Sequence, residues 1–389
     1  MKTLVLQPGR DRSLRRRHPW LLSGAIARVE GVPETGELVA VRSAEGELLA
    51  HGHYEPGSQL RVRLLVFGKE PLEEGALAPR LAAAVTRRRA DPLLAGTDAV
   101  RLVNAEGDGL PGLVVDRYAD VLVVRPSTSG MLQRIEALAA TLREVTGAAV
   151  ALLRPDAVSL RRVGVDAGEA LLWGAPPETP VTIAERGRCY RVDVQRGQKT
   201  GFYLDQRDAR DLVVALAAGR RVLDAFAYTG GFAVAALQGG AAHVVVLESS
   251  QSALGLAREN LAFAGERAEC IEADAFEVLH AGAGDFDLVI LDPPPLARRK
   301  ADVPRAARAY KDLLLHSLAG AAPGRLVLAF ACSHHVGPDL FGKIAFGAAL
   351  DAGRRVSVLR ELGAPSDHPV SLDHPEGRYL SGLLLRVDG

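Results

Sequence analysis

The stretch Leu326–Gly337, LVLAFACSHHVG, runs through strand-forming apolar residues into a single cysteine, Cys332, with His334 and His335 close behind. A cysteine at a strand end can serve as a thiolate nucleophile, join a metal site, or fill space as a small buried hydrophobe. The metal option lacks a ligand set. Cys189 and Cys270 lie far away in sequence and there is no CxxC pair. Adjacent histidines in an extended segment point to opposite sides. His51 and His53 could share a strand face, but no third ligand is evident. A second chemically suggestive stretch is DPPP, Asp292–Pro295, which closes the apolar run FDLVIL. Its prolines remove backbone donors and stiffen the turn, fixing a carboxylate at a strand end.

The elements that must position these groups begin at about residue 188. RRVLDAFA, HVVVLESS, AECIEAD, FDLVILDPP and GRLVLAFACS read as strands, separated by helix-compatible stretches such as GFAVAALQGG, QSALGLARENLAFAG and YKDLLLHSLAG. This alternation predicts an α/β fold with a doubly wound parallel sheet, whose ligands bind beyond the carboxyl ends of the strands. The final segment, 353–389, offers two more strands with little room for a helix, which predicts a terminal antiparallel pair.

What the strands deliver to that edge is ordered. The first ends in Asp224 and then AFAYTGG, where Gly230 and Gly231 permit close backbone approach before a helix. The second ends in Glu248, 18 residues after Gly230 and near the spacing of an acid that holds ribose hydroxyls. The third ends in Asp274 and the fourth in Asp292. Neither GxGxxG nor GxxxxGK[ST] is present, which disfavours a dinucleotide or a nucleoside triphosphate. A cofactor without phosphates suits such an edge. The acid after the first strand could meet an ammonium group. Each acid alone could be a helix cap; the series of four resembles class I S-adenosylmethionine-dependent methyltransferases. The expected cofactor residues are Asp224, Phe226, Tyr228, Thr229, Gly230, Glu248, Ser249, Asp274, Ala275 and Asp292.

The rest of the chain divides by pattern. Residues 1–70 have short apolar runs broken by Gly, Pro and Glu, as in a small β meander or barrel. Residues 71–187 read as a small α+β unit: a helix over 71–90, a hairpin from LVVDRY and VLVVRP, an amphipathic helix over 131–147 and the strand AAVALLRP, with GAPPETPV as a joint. Residues 188–389 form the third expected domain.

With 389 residues, 48% hydrophobic and 24% charged, the chain is long enough for two or three cores and typical of a soluble protein. No leader or membrane-spanning run is evident, so a cytoplasmic location is expected. Lys+Arg and Asp+Glu both number 47, so net charge indicates no polyanionic partner. Local charge does: residues 1–30 carry seven Lys or Arg against two acids. Arg10, Arg15, Arg16 and Arg17 are candidates for a phosphate backbone, a solvated helix face being the alternative.

At the target site, Cys332 would stand beside Asp292 in the usual strand order. C5 of cytosine is too weak a nucleophile until a thiolate adds at C6. Asp292 would hold the N3/N4 edge. In amine methylators the residue after D/N-P-P is usually aromatic; Pro295 stands there instead. The base must be flipped or already unpaired for C6 to be reached.

Taken together, GDGLPGLVVDRY (107–118), GQKTGFYLDQRDAR (197–210), LDAFAYTGGFAVAAL (223–237), LDPP (291–294), ACS (331–333) and DHPEGRYLSG (373–382) resemble the bacterial 23S rRNA cytosine-C5 methyltransferases that carry an N-terminal PUA domain, over essentially the whole chain. The resemblance implies an RNA-binding PUA fold at the N-terminus, a central α+β domain, a Rossmann-like methyltransferase domain, S-adenosylmethionine as cofactor and Cys332 as nucleophile. Its implied partner is 23S rRNA or a large-subunit assembly intermediate, with no membrane; a homodimer is left open. Pro295 replaces the lysine of the common D-P-P-K turn, and no second cysteine stands in that turn to aid product release. GQKTGFYLDQR is read as a hairpin leading to a helix, with Lys199, Tyr203 and Arg207 as phosphate or base contacts. Two other functions compete: a guanine methyltransferase using the same D-P-P turn, and a non-catalytic RNA-binding assembly factor.

Overall fold

The computed structural model describes residues 1–68, 75–282 and 284–389. They form two compact units with interleaved sequence. The first comprises Met1–Val181, Asp193–Phe202 and Ser366–Gly377; the second comprises Thr182–Val192, Tyr203–Pro365 and Arg378–Gly389.

The first unit holds two sheets. In the N-terminal sheet, β1 (Thr3–Leu6), β2 (Trp20–Leu22), β3 (Ile26–Glu30), β4 (Leu38–Arg42), β5 (Leu48–Tyr54) and β6 (Leu60–Phe67) pair in the order β2-β6-β5-β4-β1-β3, with the short helix α1 (Arg12–Arg15) between β1 and β2. Leu4, Leu6, Leu14, Leu21, Val39, Val41 and Val62 fill its core. The helix expected from residue 71 is α2 (Leu77–Ala90); residues 71–74 of that expectation lie outside the described residues. The second sheet follows, from β7 (Ala99–Asn104), β8 (Leu113–Tyr118), β9 (Val121–Pro126), β10 (Val150–Leu153) and β11 (Ala170–Trp173), in the order β11-β10-β9-β8-β7. The hairpin is present, Tyr118 facing Val121 across Ala119-Asp120. The helical stretch near 131–147 is split into α3 (Ser129–Leu132) and α4 (Ile135–Thr146), and α5 (Ala157–Arg161) follows β10. Leu138 and Leu142 of α4 pack into the core beside Val115 and Val124.

Residues far apart in sequence complete this unit. Arg88 donates to Asp108 and to the carbonyl of Asp367, and the Arg101 amide donates to the Asp367 carboxylate. A Cβ on Gly107 would stand 2.0 Å from the Pro369 carbonyl oxygen, so only glycine lets 366–377 settle there. The 193–202 segment is held by Arg154, which donates to the carbonyls of Val194 and Gly197, and by Thr200, which donates to Asp116. GQKTGFYLDQR is therefore not a hairpin. The hairpin precedes it, as β12 (Val181–Glu185) and β13 (Arg188–Val192), and the motif itself is a series of turns and a short 3-10 turn that lead, as expected, into a helix beginning at Arg207.

The second unit is built on β14 (Arg221–Ala225), β15 (His243–Glu248), β16 (Ala268–Glu272), β17 (Leu288–Leu291), β18 (Leu326–Cys332), β19 (Val356–Leu362) and β20 (Leu380–Val387), ordered β16-β15-β14-β17-β18-β20-β19. The first five are parallel; β20 runs antiparallel to both β18 and β19, as the terminal pattern predicts. Its helices are α6 (Arg207–Leu216), α7 (Gly231–Gln238), α8 (Gln251–Asn260), α9 (Ala275–His280), α10 (Val303–Leu318) and α11 (Pro338–Asp351). The central parallel strands are largely apolar because helices cover the sheet, and β17 is buried at all four positions. The limits at 70 and 187 remain proposed domain limits. No helix among the described residues is long and apolar enough to cross a membrane.

Candidate active site

Strand order reverses between β14 and β17, so a crevice is expected beyond their carboxyl ends. Asp224 stands there, fully buried. Its Oδ2 accepts from the Ala233 amide at 3.0 Å, while Oδ1 has no hydrogen-bond partner among the described residues. Burial, with Asp292 and Glu248 adding like charge, pushes its carboxyl up to about 8. The next turn is strained: Phe226 and Tyr228 both have positive φ, 65° and 52°, and Gly230 follows at 77°. Thr229 is 2% exposed and its hydroxyl also has no partner among the described residues. The Glu248 carboxylate braces this turn, accepting from the amides of Tyr228 and Ser250, both at 2.8 Å.

Two buried oxygens without partners, one of them a carboxylate, fit a ligand bearing an ammonium group and hydroxyls. S-adenosylmethionine has both. Ser249 and Asp274 are exposed, and Ala275 is buried. Asp274 accepts from the Phe276 amide at 2.8 Å, so the contact it makes here is a cap on α9.

The neighbouring strand ends bring Asp292 and Cys332 together. Both are half-buried, and the Cys332 thiol donates to Asp292 Oδ1 at 3.5 Å. Tyr310 of α10 is 2% exposed; burial chiefly, then Cys332, drives its phenol above the usual range. Tyr203 is shifted the same way by burial and by Asp292, Asp205 and Cys332, and meets the Tyr228 ring edge-on at 5.4 Å. Buried Asp205 accepts from the Tyr379 hydroxyl at 2.6 Å. Tyr310 and Tyr379 were not anticipated as neighbours of the site. Tyr379 lies in the quoted DHPEGRYLSG stretch, which is its one signal; Tyr310, mid-helix, offers none.

Of the other cysteines, Cys189 is exposed and Cys270 half-buried. His334 and His335 do not diverge: they sit in a turn, where extended alternation does not apply, and their ring centroids are 3.8 Å apart.

Arg207 is not placed for RNA. It is 0% exposed and faces buried Glu185, which Arg188 and Arg210 also pair. Its helix turns inward because Arg207 and Arg210, three residues apart, share one face toward the β12–β13 hairpin. Lys199 is half-buried with φ 53°. In the N-terminal arm, Arg10, Arg15, Arg16 and Arg17 are exposed. Arg15 is already bound to Asp11 and Glu47, both at 2.6 Å. Arg10 and Arg16 line a cavity of about 1020 Å³ with Arg12, His18 and Trp20.

The sheet topology and this strand-end edge define a class I methyltransferase fold. Residues 101–370 match the S-adenosylmethionine-dependent methyltransferase family and residues 4–67 a PUA-like domain. The chain is 40% identical to ribosomal RNA large subunit methyltransferase I of Aeromonas salmonicida, covering 99% of both chains, and 38% identical to the Klebsiella pneumoniae protein of that name, covering 99% of this chain and 98% of the other. It also superposes, with a TM-score of 0.84 and 23% identity over the full length of both chains, on the methyltransferase SMU.776, solved with SAH. The chain belongs to the S-adenosylmethionine-dependent methyltransferase family, in the group that carries a PUA-like domain and includes ribosomal RNA large subunit methyltransferase I.

Proposed function

We propose that the protein methylates C5 of a cytosine in large-subunit ribosomal RNA through a covalent adduct at Cys332. The observation that carries this reading is the Cys332 thiol hydrogen-bonded to Asp292 at the strand-end edge. A guanine methyltransferase has no use for that thiol, and the names of the relatives point to ribosomal RNA.

Cys332 and Asp292 carry the thiol proton and the bond changes at C6. Asp292 accepts the thiol proton along the existing hydrogen bond and passes it to N3 of the cytosine as the thiolate adds to C6. The C5–C6 double bond becomes an enamine, nucleophilic at C5. Bound S-adenosylmethionine supplies an electrophilic methyl group. Water takes the C5 proton, elimination expels the thiolate from C6 and restores the double bond, and N3 returns its proton through Asp292 to the thiolate. Asp224, Thr229 and Glu248 hold the cofactor. Ser249, Asp274 and Ala275 complete its rim, and Phe226, Tyr228 and Gly230 shape the turn beneath it. Arg10, Arg16 and Arg17 bind the RNA backbone, Arg15 contributing less because two carboxylates already neutralise it.

Replacing Cys332 by Ala is the test. Loss of 5-methylcytosine from the RNA is expected; methylation near the unsubstituted level would exclude the covalent route. Thermal stabilisation by SAH should survive this substitution.

A further inference from the structure

Beyond the methyltransferase site, three ligand-type side chains converge at the C-terminal end of α9. His280 is the last residue of α9, and Asp312 and His316 stand one turn apart on α10. His280 Nε2 lies 2.7 Å from Asp312 Oδ2, and His316 Nδ1 lies 3.5 Å from Asp312 Oδ1. The two imidazole centroids are 4.3 Å apart, and one ligand atom from each residue lies within 4.8 Å of the others. We propose that His280, Asp312 and His316 form a site for a divalent transition-metal ion of the zinc, cobalt or nickel type, tying α9 to α10.

Distance and proton placement support this. Nitrogen and oxygen ligands about 2.0–2.2 Å from a tetrahedral zinc sit roughly 3.3–3.6 Å apart. His280 Nε2 and Asp312 Oδ2 are closer than that, one ligand atom of each residue lies within 4.8 Å of the others, and the side chains, partly exposed, have room to adjust. His316 Nδ1 is 2.9 Å from the Asp312 carbonyl oxygen, which can only accept. The ring proton is thus fixed on Nδ1, leaving Nε2 with its lone pair, the arrangement a ligating histidine adopts. His280 donates from Nε2 to Asp312. A metal displaces that proton, and the half-exposed ring can carry its remaining proton on Nδ1. Two imidazoles and one carboxylate suit these borderline ions better than magnesium, with water completing the shell.

A second cluster, His18, His374 and Glu376, lies in the other unit and lacks this placement. His18 Nδ1 accepts from the Trp20 amide at 3.2 Å, so the proton sits on Nε2, facing Glu376. Ligation there would break the Trp20 bond, and the group is better described as a hydrogen-bond clamp.

The full-length protein, stripped with a chelator, should bind one equivalent of cobalt(II), giving visible absorption without a thiolate charge-transfer band, and zinc should displace it. Substituting His280→Ala or His316→Ala should each weaken binding by at least about tenfold. Neither side chain is buried, so circular dichroism should be unchanged. His18→Ala with His374→Ala should leave binding intact. Zinc should raise the melting temperature of the unsubstituted protein but not of the His280→Ala, His316→Ala double variant. Absence of stoichiometric binding, binding that persists in that double variant, or loss in the His18, His374 pair would overturn the proposal.

Discussion

Two fully buried carboxylates in the second unit behave in opposite ways. Asp224 and Glu185 are both 0% exposed, and each stands on a strand beside a helix. Burial and the nearby acids Asp292 and Glu248 drive Asp224 up to about 8. Burial acts on Glu185 as well, but Arg210, Arg207 and Arg188 outweigh it and bring Glu185 down to about 2. The difference lies in the cations. Glu185 has its partners within the fold and holds the β12–β13 hairpin to α6. Asp224 sits among like charges with one oxygen unpaired, a state that a cationic ligand relieves.

The largest expected effect comes from removing the paired carboxylate. Glu185→Gln leaves three arginines facing an uncharged side chain and should lower stability by about 3–5 kcal/mol, measured by urea unfolding. A loss under 1 kcal/mol would mean water reaches the cluster. Asp224→Asn should leave the fold intact yet weaken S-adenosylmethionine binding by about 2 kcal/mol, roughly thirtyfold, by calorimetry. Unchanged affinity would remove Asp224 from the cofactor site.

The pH dependence separates the two groups further. Glu185, depressed in the fold, stabilises above its ordinary value near 4.5, and that contribution is lost as pH falls toward about 2. Asp224, raised in the fold, contributes fully below its ordinary value near 3.8 and loses that contribution as pH rises through about 8. Stability of the unsubstituted protein should therefore fall between pH 5 and 8 relative to Asp224→Asn, by up to about 1.4 kcal/mol per unit. Cofactor binding near neutral pH should release a proton, seen as a calorimetric enthalpy that varies with buffer. The smallest effect concerns the arm. Arg16→Glu should reduce the salt slope of RNA binding by roughly 0.7–0.9 per lost phosphate contact, and Arg15→Glu by less.

Much of the second unit was legible in the sequence because strand periodicity and strand-end acids are local signals. The five parallel strands, the terminal antiparallel pair and the meeting of Asp292 with Cys332 all follow from run lengths and strand order. Arg207 of GQKTGFYLDQRDAR was misread because charge suggests solvent. Only the fold reveals that Arg207 and Arg210 turn toward a glutamate about twenty residues upstream. The return of 366–377 to the first unit was likewise hidden: the fit between Gly107 and Pro369 links positions over 260 residues apart, and no periodicity records it.

The covalent role of Cys332 is best tested by incubating the protein with S-adenosylmethionine and target RNA containing 5-fluorocytosine, whose C5 fluorine cannot leave as a proton does. A denaturation-resistant protein–RNA complex should form, with the modified peptide mapping to Cys332. No trapped complex, together with normal methylation by Cys332→Ala, would contradict the mechanism.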